Sequence, residues 1–132
     1  MEAKQVIVMR KMTKGCRTGK YCAQAAHASL GAVLSASDHI NETETQLLVI
    51  PLSNPYVRDW LIGRFKKVVV YVDTDEELIA LYDEAKKNEV LCALIRDAGL
   101  TEFDGVPTLT AVGIGPDAEE KINKITGHLP LF

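Results

Sequence analysis

Cysteine is scarce in this sequence, three residues among 132, and none stands in a C-x-x-C pair. An odd count without that spacing excludes a disulfide scaffold and a thiolate zinc or redox site, and it points to a reducing cytoplasm. Long apolar runs are also missing. Nothing approaches the roughly 18 residues of a membrane span, and the first residues lack the contiguous apolar stretch of a secretory leader, so a soluble protein with no membrane partner is expected. With 9 Gly, 5 Pro, 47% hydrophobic and 25% charged residues, the composition is that of an ordinary folded domain. One domain spanning 1–132 is expected, long enough to bury about two-thirds of its unfolded surface without staples.

Excess positive charge is absent as well. The net charge of −3 excludes coating of nucleic acid by bulk electrostatics. Its distribution is uneven, however. Residues 1–20 carry Lys4, Arg10, Lys11, Lys14, Arg17 and Lys20 against Glu2 alone, and residues 58–72 carry Arg58, Arg64, Lys66 and Lys67 against Asp59. Screening acts over about 8 Å at physiological salt, so a bound phosphate would answer to the nearest patch. The alternative is a merely solubilising surface.

Short β-branched runs predict strands at Gln5–Met9, Lys67–Val72, Val90–Ile95 and Thr108–Ile114. Helical patterns fall at 20–36, at 75–87 behind a Thr74/Glu77 capping box, and at 117–126 before Gly127. Interleaved strands and helices imply an α/β fold with a sheet covered on both faces. The link between the last two strands is too short for a helical crossover, so the sheet should be mixed. An insert at about 38–66 contains Leu47-Leu-Val-Ile-Pro-Leu52, which reads as buried or strand-like. Trp60, beside Tyr56 and Arg58, could stack on a base, but a lone Trp near Leu61 and Ile62 is better read as a satellite core.

The segment Lys14-Gly-Cys-Arg-Thr-Gly-Lys20 joins the first strand to the first helix, a strand, glycine loop, helix order suited to an anion. It is not a P-loop. Lys14 stands where the first glycine belongs and Tyr21 replaces the Mg²⁺-binding hydroxyl, which argues against a nucleotide-hydrolysing enzyme. On a helix, Lys20, Gln24 and His27 form one stripe that Gly31 continues, while Cys22, Ala25, Ala26, Ser29 and Val33 share the opposite side. The small residues are expected to pack on the sheet, which would turn the polar stripe outward or into a cleft. No acidic residue occurs from Lys20 through Ser37, unlike an ordinary solvated face. Farther on, Asp97 lies just past the end of a predicted buried strand, a usual place for functional groups in α/β sheets, and Thr108 and Thr110 share a face of the next strand. An Asx turn would explain Asp97 structurally. Chemistry requires that the two clusters meet.

Together these residues carry a resemblance to a known family. The combination Gly19-Lys20-x-x-Ala23-Gln24-x-x-His27-Ala28, Asp97-Ala-Gly-x-Thr101, Thr108-x-Thr110, Gly113-Ile-Gly-Pro116 and Ile125-Thr-Gly-His-Leu129 resembles the type II peptidyl-tRNA hydrolases of archaea and eukaryotes over nearly the whole chain. The resemblance implies a three-layer α/β/α fold with a four-stranded mixed sheet, commonly homodimeric, and a hydrolase that needs no metal or other cofactor. The implied substrate is the ester joining a peptide to tRNA. By the same resemblance Lys20, Gln24, Asp97, Thr101 and Thr110 form the catalytic set, with His27 and Thr108 supporting it. Lys11, Lys14, Arg17, Lys66 and Lys67 would hold tRNA phosphates. The insert at 38–66 is enlarged relative to the family's usual form.

Ester hydrolysis needs a water aimed at the acyl carbon and donors for the developing oxyanion. Asp97 suits the first role, Lys20 and Gln24 the second, and Thr101 and Thr110 would position water and carbonyl. Two alternatives stay open at this level: a catalytically silent tRNA- or protein-binding adaptor, and a thiol mechanism. Cys22 is expected on the packed face, away from His27, which leaves Cys16 as the possible nucleophile.

Overall fold

The computed structural model describes residues 2–41, 44–99, 103 and 105–132. Strand β1 (Ala3–Arg10) is central. Its β-branched run is buried on both faces, and it pairs in parallel with β4 (Lys67–Val72) and antiparallel with β6 (Thr108–Ala118). Strand β5 (Cys92–Asp97) completes the order β4-β1-β6-β5, so the sheet is four-stranded and mixed as expected.

Alternation along β1 sorts the two cores. Val6 and Val8 join Val70, Val72, Val112 and Ile114 in a cluster covered by α3 (Asp75–Lys87) and α4 (Glu119–Thr126) through Leu78, Leu81, Ile122 and Ile125. Ile7 and Met9 face the other way, onto α1 (Thr18–Leu34) through Ala28. The predicted cap is present: the Thr74 hydroxyl accepts the Glu77 N–H at 3.2 Å.

The insert holds an antiparallel hairpin, β2 (Asp38–Asn41) with β3 (Gln46–Val49), and a short helix α2 (Pro55–Ile62). The sequence offered a sign of α2 that periodicity alone passed over. Asn54 caps it by accepting the Tyr56 N–H at 2.9 Å, and Pro55 starts it. The run at 47–52 is strand-like in part but not buried: Leu47, Leu48, Val49 and Leu52 are all exposed. Trp60 is only 2% exposed, packs on Phe65 and donates its indole N–H to the Lys66 carbonyl, so it is a core residue. Among the described residues, no helix is long and apolar enough to cross a membrane.

The packed face of α1 differs from the expected one. Gln24, Ala28 and Ala32 are buried, whereas Cys22, Ala26 and His27 are exposed, a rotation of roughly 100° about the helix axis. Close approach decides it. A Cβ at Gly113 of β6 would lie 2.1 Å from the Ala28 carbonyl oxygen, and one at Gly31 would lie 3.0 Å from the Ala93 Cβ. The helix thus seats its smallest stripe where the sheet has no side chain. Lys20 and Gln24 consequently flank the contact, at the sheet end formed by the last residues of β1, β4 and β5 and the first of β6.

Candidate active site

The two clusters separated by more than seventy residues meet at that sheet end. Asp97 closes β5, opposite Thr108 on β6, and its carboxylate divides its partners. One oxygen, Oδ1, accepts from Lys20 Nζ at 3.0 Å and Gln24 Nε2 at 3.2 Å, while Oδ2 accepts the Gly99 N–H at 2.8 Å. Behind Gln24, the buried Thr110 hydroxyl donates to Gln24 Oε1 at 2.6 Å. That bond orients the amide so that its NH₂ end faces the carboxylate. Lys20, Asp97, Gln24 and Thr110 therefore form one continuous chain of donors and acceptors across three elements.

The turn after Asp97 is built for this arrangement. Gly99 has φ +80°, and a Cβ there would lie 2.1 Å from the Val106 carbonyl oxygen. Glycine lets the chain double back so that the Gly99 amide reaches its own Asp97. This amide is the largest influence holding the Asp97 carboxyl below its usual range; Lys20 and then Gln24 reinforce it against the opposing effect of burial. The Lys20 and Asp97 side chains are each 16% exposed, so their attraction is screened less than that of a surface pair. Lys20 Nζ also lies 5.6 Å from the centre of the Phe103 ring.

Around the start of α1 lies an open cavity of about 940 Å³ lined by Lys14, Gly15, Cys16, Arg17, Gly19, Lys20 and Ala23. The α1 N-terminus has Arg17 at its N-cap, with no side-chain cap and no acidic residue in the first turn. Helix dipole and side-chain cations thus reinforce one another there. Lys11, at the end of β1, is exposed with its ammonium 5.1 Å from the Tyr71 ring centre.

Other predicted residues do not join this chain of side-chain hydrogen bonds among the described residues. Thr108 turns its hydroxyl to the Val106 carbonyl at 2.8 Å, and His27 is exposed on α1. Thr101 lies outside the described residues. Lys66 and Lys67 stand at the opposite end of the sheet, the length of the six-residue β4 away, or about 20 Å. There Lys66 pairs with Glu119 at 2.6 Å and Lys67 covers the Phe65 ring. Cys22 is exposed rather than packed, because of the rotation of α1. The Asx turn that the sequence suggested at Asp97 is present in the Gly99 N–H bond, and it coexists with the lysine and amide contacts; sequence reasoning passed over Tyr21 as a neighbour of the loop.

Fold and site together define an α/β protein with a lysine–carboxylate–amide–hydroxyl cluster at a strand end beside a basic cavity. Comparison with known proteins narrows this class. Residues 3–132 match the family described as peptidyl-tRNA hydrolase PTH2, and the chain belongs to that family. A protein named peptidyl-tRNA hydrolase from Methanopyrus kandleri is 44% identical over 98% of this chain and 97% of its own. Another of that name from Methanocaldococcus jannaschii is 43% identical over 98% of this chain and 99% of its own. A solved structure of a protein of unknown function from Agrobacterium shares the fold, with a TM-score of 0.56 at 13% identity, covering 100% of this chain and 98% of that one.

Proposed function

We propose that this protein hydrolyses the ester bond between a peptide and tRNA, releasing tRNA for reuse, with Asp97, Lys20, Gln24, Thr110 and Thr101 as its catalytic set. Membership of the family supports the reaction. The observation that carries the residue roles is the sharing of Asp97 Oδ1 between Lys20 and Gln24. A carboxylate held below its ordinary range is a weak proton acceptor, which suits Asp97 to orienting the attacking water more than to fully deprotonating it. Lys20 and the Gln24 amide stabilise the negative charge that grows on the acyl oxygen, and Thr110 keeps the amide turned the right way. Thr101 places water and carbonyl; His27 and Thr108 support the site from its edges.

The tRNA backbone lies along the cavity at the α1 N-terminus, its phosphates met by Lys11, Lys14 and Arg17. Lys66 and Lys67 contact a more distant part of the same tRNA. A single 1–132 domain acts as a cytoplasmic homodimer. The hairpin supports the dimer: Ile40, Leu47 and Val49 share one face of it and are all exposed in the single chain. A monomer in sedimentation at micromolar concentration would overturn that part.

The decisive experiment is cleavage of peptidyl-tRNA by purified protein in the presence of EDTA, with unblocked aminoacyl-tRNA as comparison. Wild type should cleave the former, and Lys20→Ala should lose about two orders of magnitude in kcat. An inactive wild type, or a folded Lys20→Ala variant of nearly full activity, would refute the assignment.

A further inference from the structure

The loop that lines the basic cavity is anchored at Met12. Its N–H donates to the Tyr21 hydroxyl at 2.9 Å, and its sulfur accepts from Arg10 Nη1 at 3.2 Å. Arg10 is itself held by Asp75 at the start of α3, 2.7 Å away. Beyond Met12 the chain turns, Gly15 N–H donating to the Met12 carbonyl at 3.2 Å with Gly15 at φ +77°, and then enters α1. Lys14 and Arg17 therefore lie on a short segment supported at Met12 on one side and at the first turn of α1 on the other.

Tyr21 connects those two supports. It belongs to α1 directly after Lys20, and its ring is fixed edge-on against Phe132, with centroids 4.9 Å apart. Its hydroxyl reaches back over the loop to the Met12 amide. The residue whose side chain rules out a P-loop at this position thus supplies a brace of another kind. A phenylalanine would retain the ring packing but could not accept the Met12 N–H, so the effect of the hydroxyl can be isolated.

We propose that Tyr21 is a positioning residue for tRNA: its hydroxyl fixes the spacing between the Lys14–Arg17 loop and Lys20, so that phosphate contacts and the reacting ester are engaged in register. This rests on the functional reading above and adds to it a residue that touches neither the reacting atoms nor the phosphates.

The test compares wild type with Tyr21→Phe in the full chain. Removing one ordinary hydrogen bond should raise KM for peptidyl-tRNA about five-fold and weaken the binding of deacylated tRNA by the same factor, with kcat nearly unchanged. Cleavage of an N-acetyl-aminoacyl adenosine, which has no backbone phosphates, should be unaffected, and amide exchange at residues 12–16 should quicken. Unaltered KM and tRNA affinity would overturn the proposal. So would an equal loss on the phosphate-free ester, which marks a general structural role. Should wild type prove inactive on peptidyl-tRNA, the functional reading fails. The affinity for deacylated tRNA then decides the role of Tyr21 by itself: a five-fold weakening supports it and equal binding refutes it.

Discussion

Replacing Asp97 with asparagine preserves size and shape and changes only charge and the donor pattern, which makes it a sharp probe of the site. The two carboxylate oxygens serve different partners, Oδ1 taking Lys20 and Gln24 and Oδ2 taking Gly99, and every partner is a donor. Asparagine offers one acceptor and one donor, so one side must fail. If its oxygen keeps the Gly99 amide, its NH₂ group points at the Lys20 ammonium and the Gln24 amide. If it turns to Lys20, two donors oppose each other in the turn. The first orientation leaves two donor contacts without an acceptor and the second leaves one. Because both charged side chains are partly exposed, at 16% each, the cost falls below that of a fully buried pair, at about 1–2 kcal/mol of stability. Activity should suffer far more, since the charge that holds the water and fixes Lys20 is gone: a loss of about 100-fold or more in kcat. The assay is initial-rate cleavage of peptidyl-tRNA beside thermal unfolding followed by circular dichroism. A folded Asp97→Asn protein within about five-fold of wild type would refute the reasoning, because it would show that neither the charge nor its alignment matters.

The remaining predictions use the same geometry. Because the Asp97 carboxyl is depressed in the folded state, its stabilising contribution is fully present above the unfolded value of about 3.9 and is lost as pH falls through the lower folded value. The stability difference between wild type and Asp97→Asn should accordingly be flat from pH 5 to 7 and shrink only below about pH 4; a difference that fades between pH 5 and 7 would contradict the shift. Thr110→Val leaves the buried Gln24 carbonyl without its 2.6 Å donor, and should cost about 1–3 kcal/mol in urea unfolding and about ten-fold in kcat as the amide loses its orientation. Gly113→Ala places a methyl group against the Ala28 carbonyl and should destabilise by about 3 kcal/mol, whereas unchanged stability would mean that α1 does not sit so close. If Lys11, Lys14 and Arg17 each meet a phosphate of a single-stranded end, log K should fall with log salt at a slope of about −2, and Lys14→Ala should flatten it by about 0.7; a slope near zero would remove this surface from the binding site.

Much of this molecule follows from local pattern. The unbroken apolar run Val6, Ile7, Val8 and Met9 declares a strand buried on both sides, Thr74 with Glu77 marks where α3 starts, and the short link between β5 and β6 requires an antiparallel pair. These are properties of neighbours in sequence, where side-chain period and backbone preference act directly. The residues of the candidate site were legible through the resemblance to a family: helical spacing put Lys20 and Gln24 on one stripe and Asp97 at a strand end, but the combination of motifs singled them out.

Tertiary structure decided what depends on contacts between distant segments. Helical periodicity gives α1 a polar stripe and a small-residue stripe without saying which of them the sheet will accept. The gap at Gly113 and the fit of Gly31 against Ala93 settled that, and in doing so buried Gln24 and exposed Cys22. Likewise, two basic patches look alike in sequence, but parallel pairing of β1 with β4 puts Lys66 and Lys67 at the far end of the sheet from Lys20. The Asp-x-Gly spacing suggests the turn in which the Gly99 amide meets the Asp97 carboxylate, but that Lys20 and Gln24 converge on the other oxygen of the same group is decided only by packing. Sequence fixes which groups are available and how they are spaced along each element. Only the close packing of elements determines which of those groups meet, because steric fit and hydrogen-bond geometry act through space rather than along the chain.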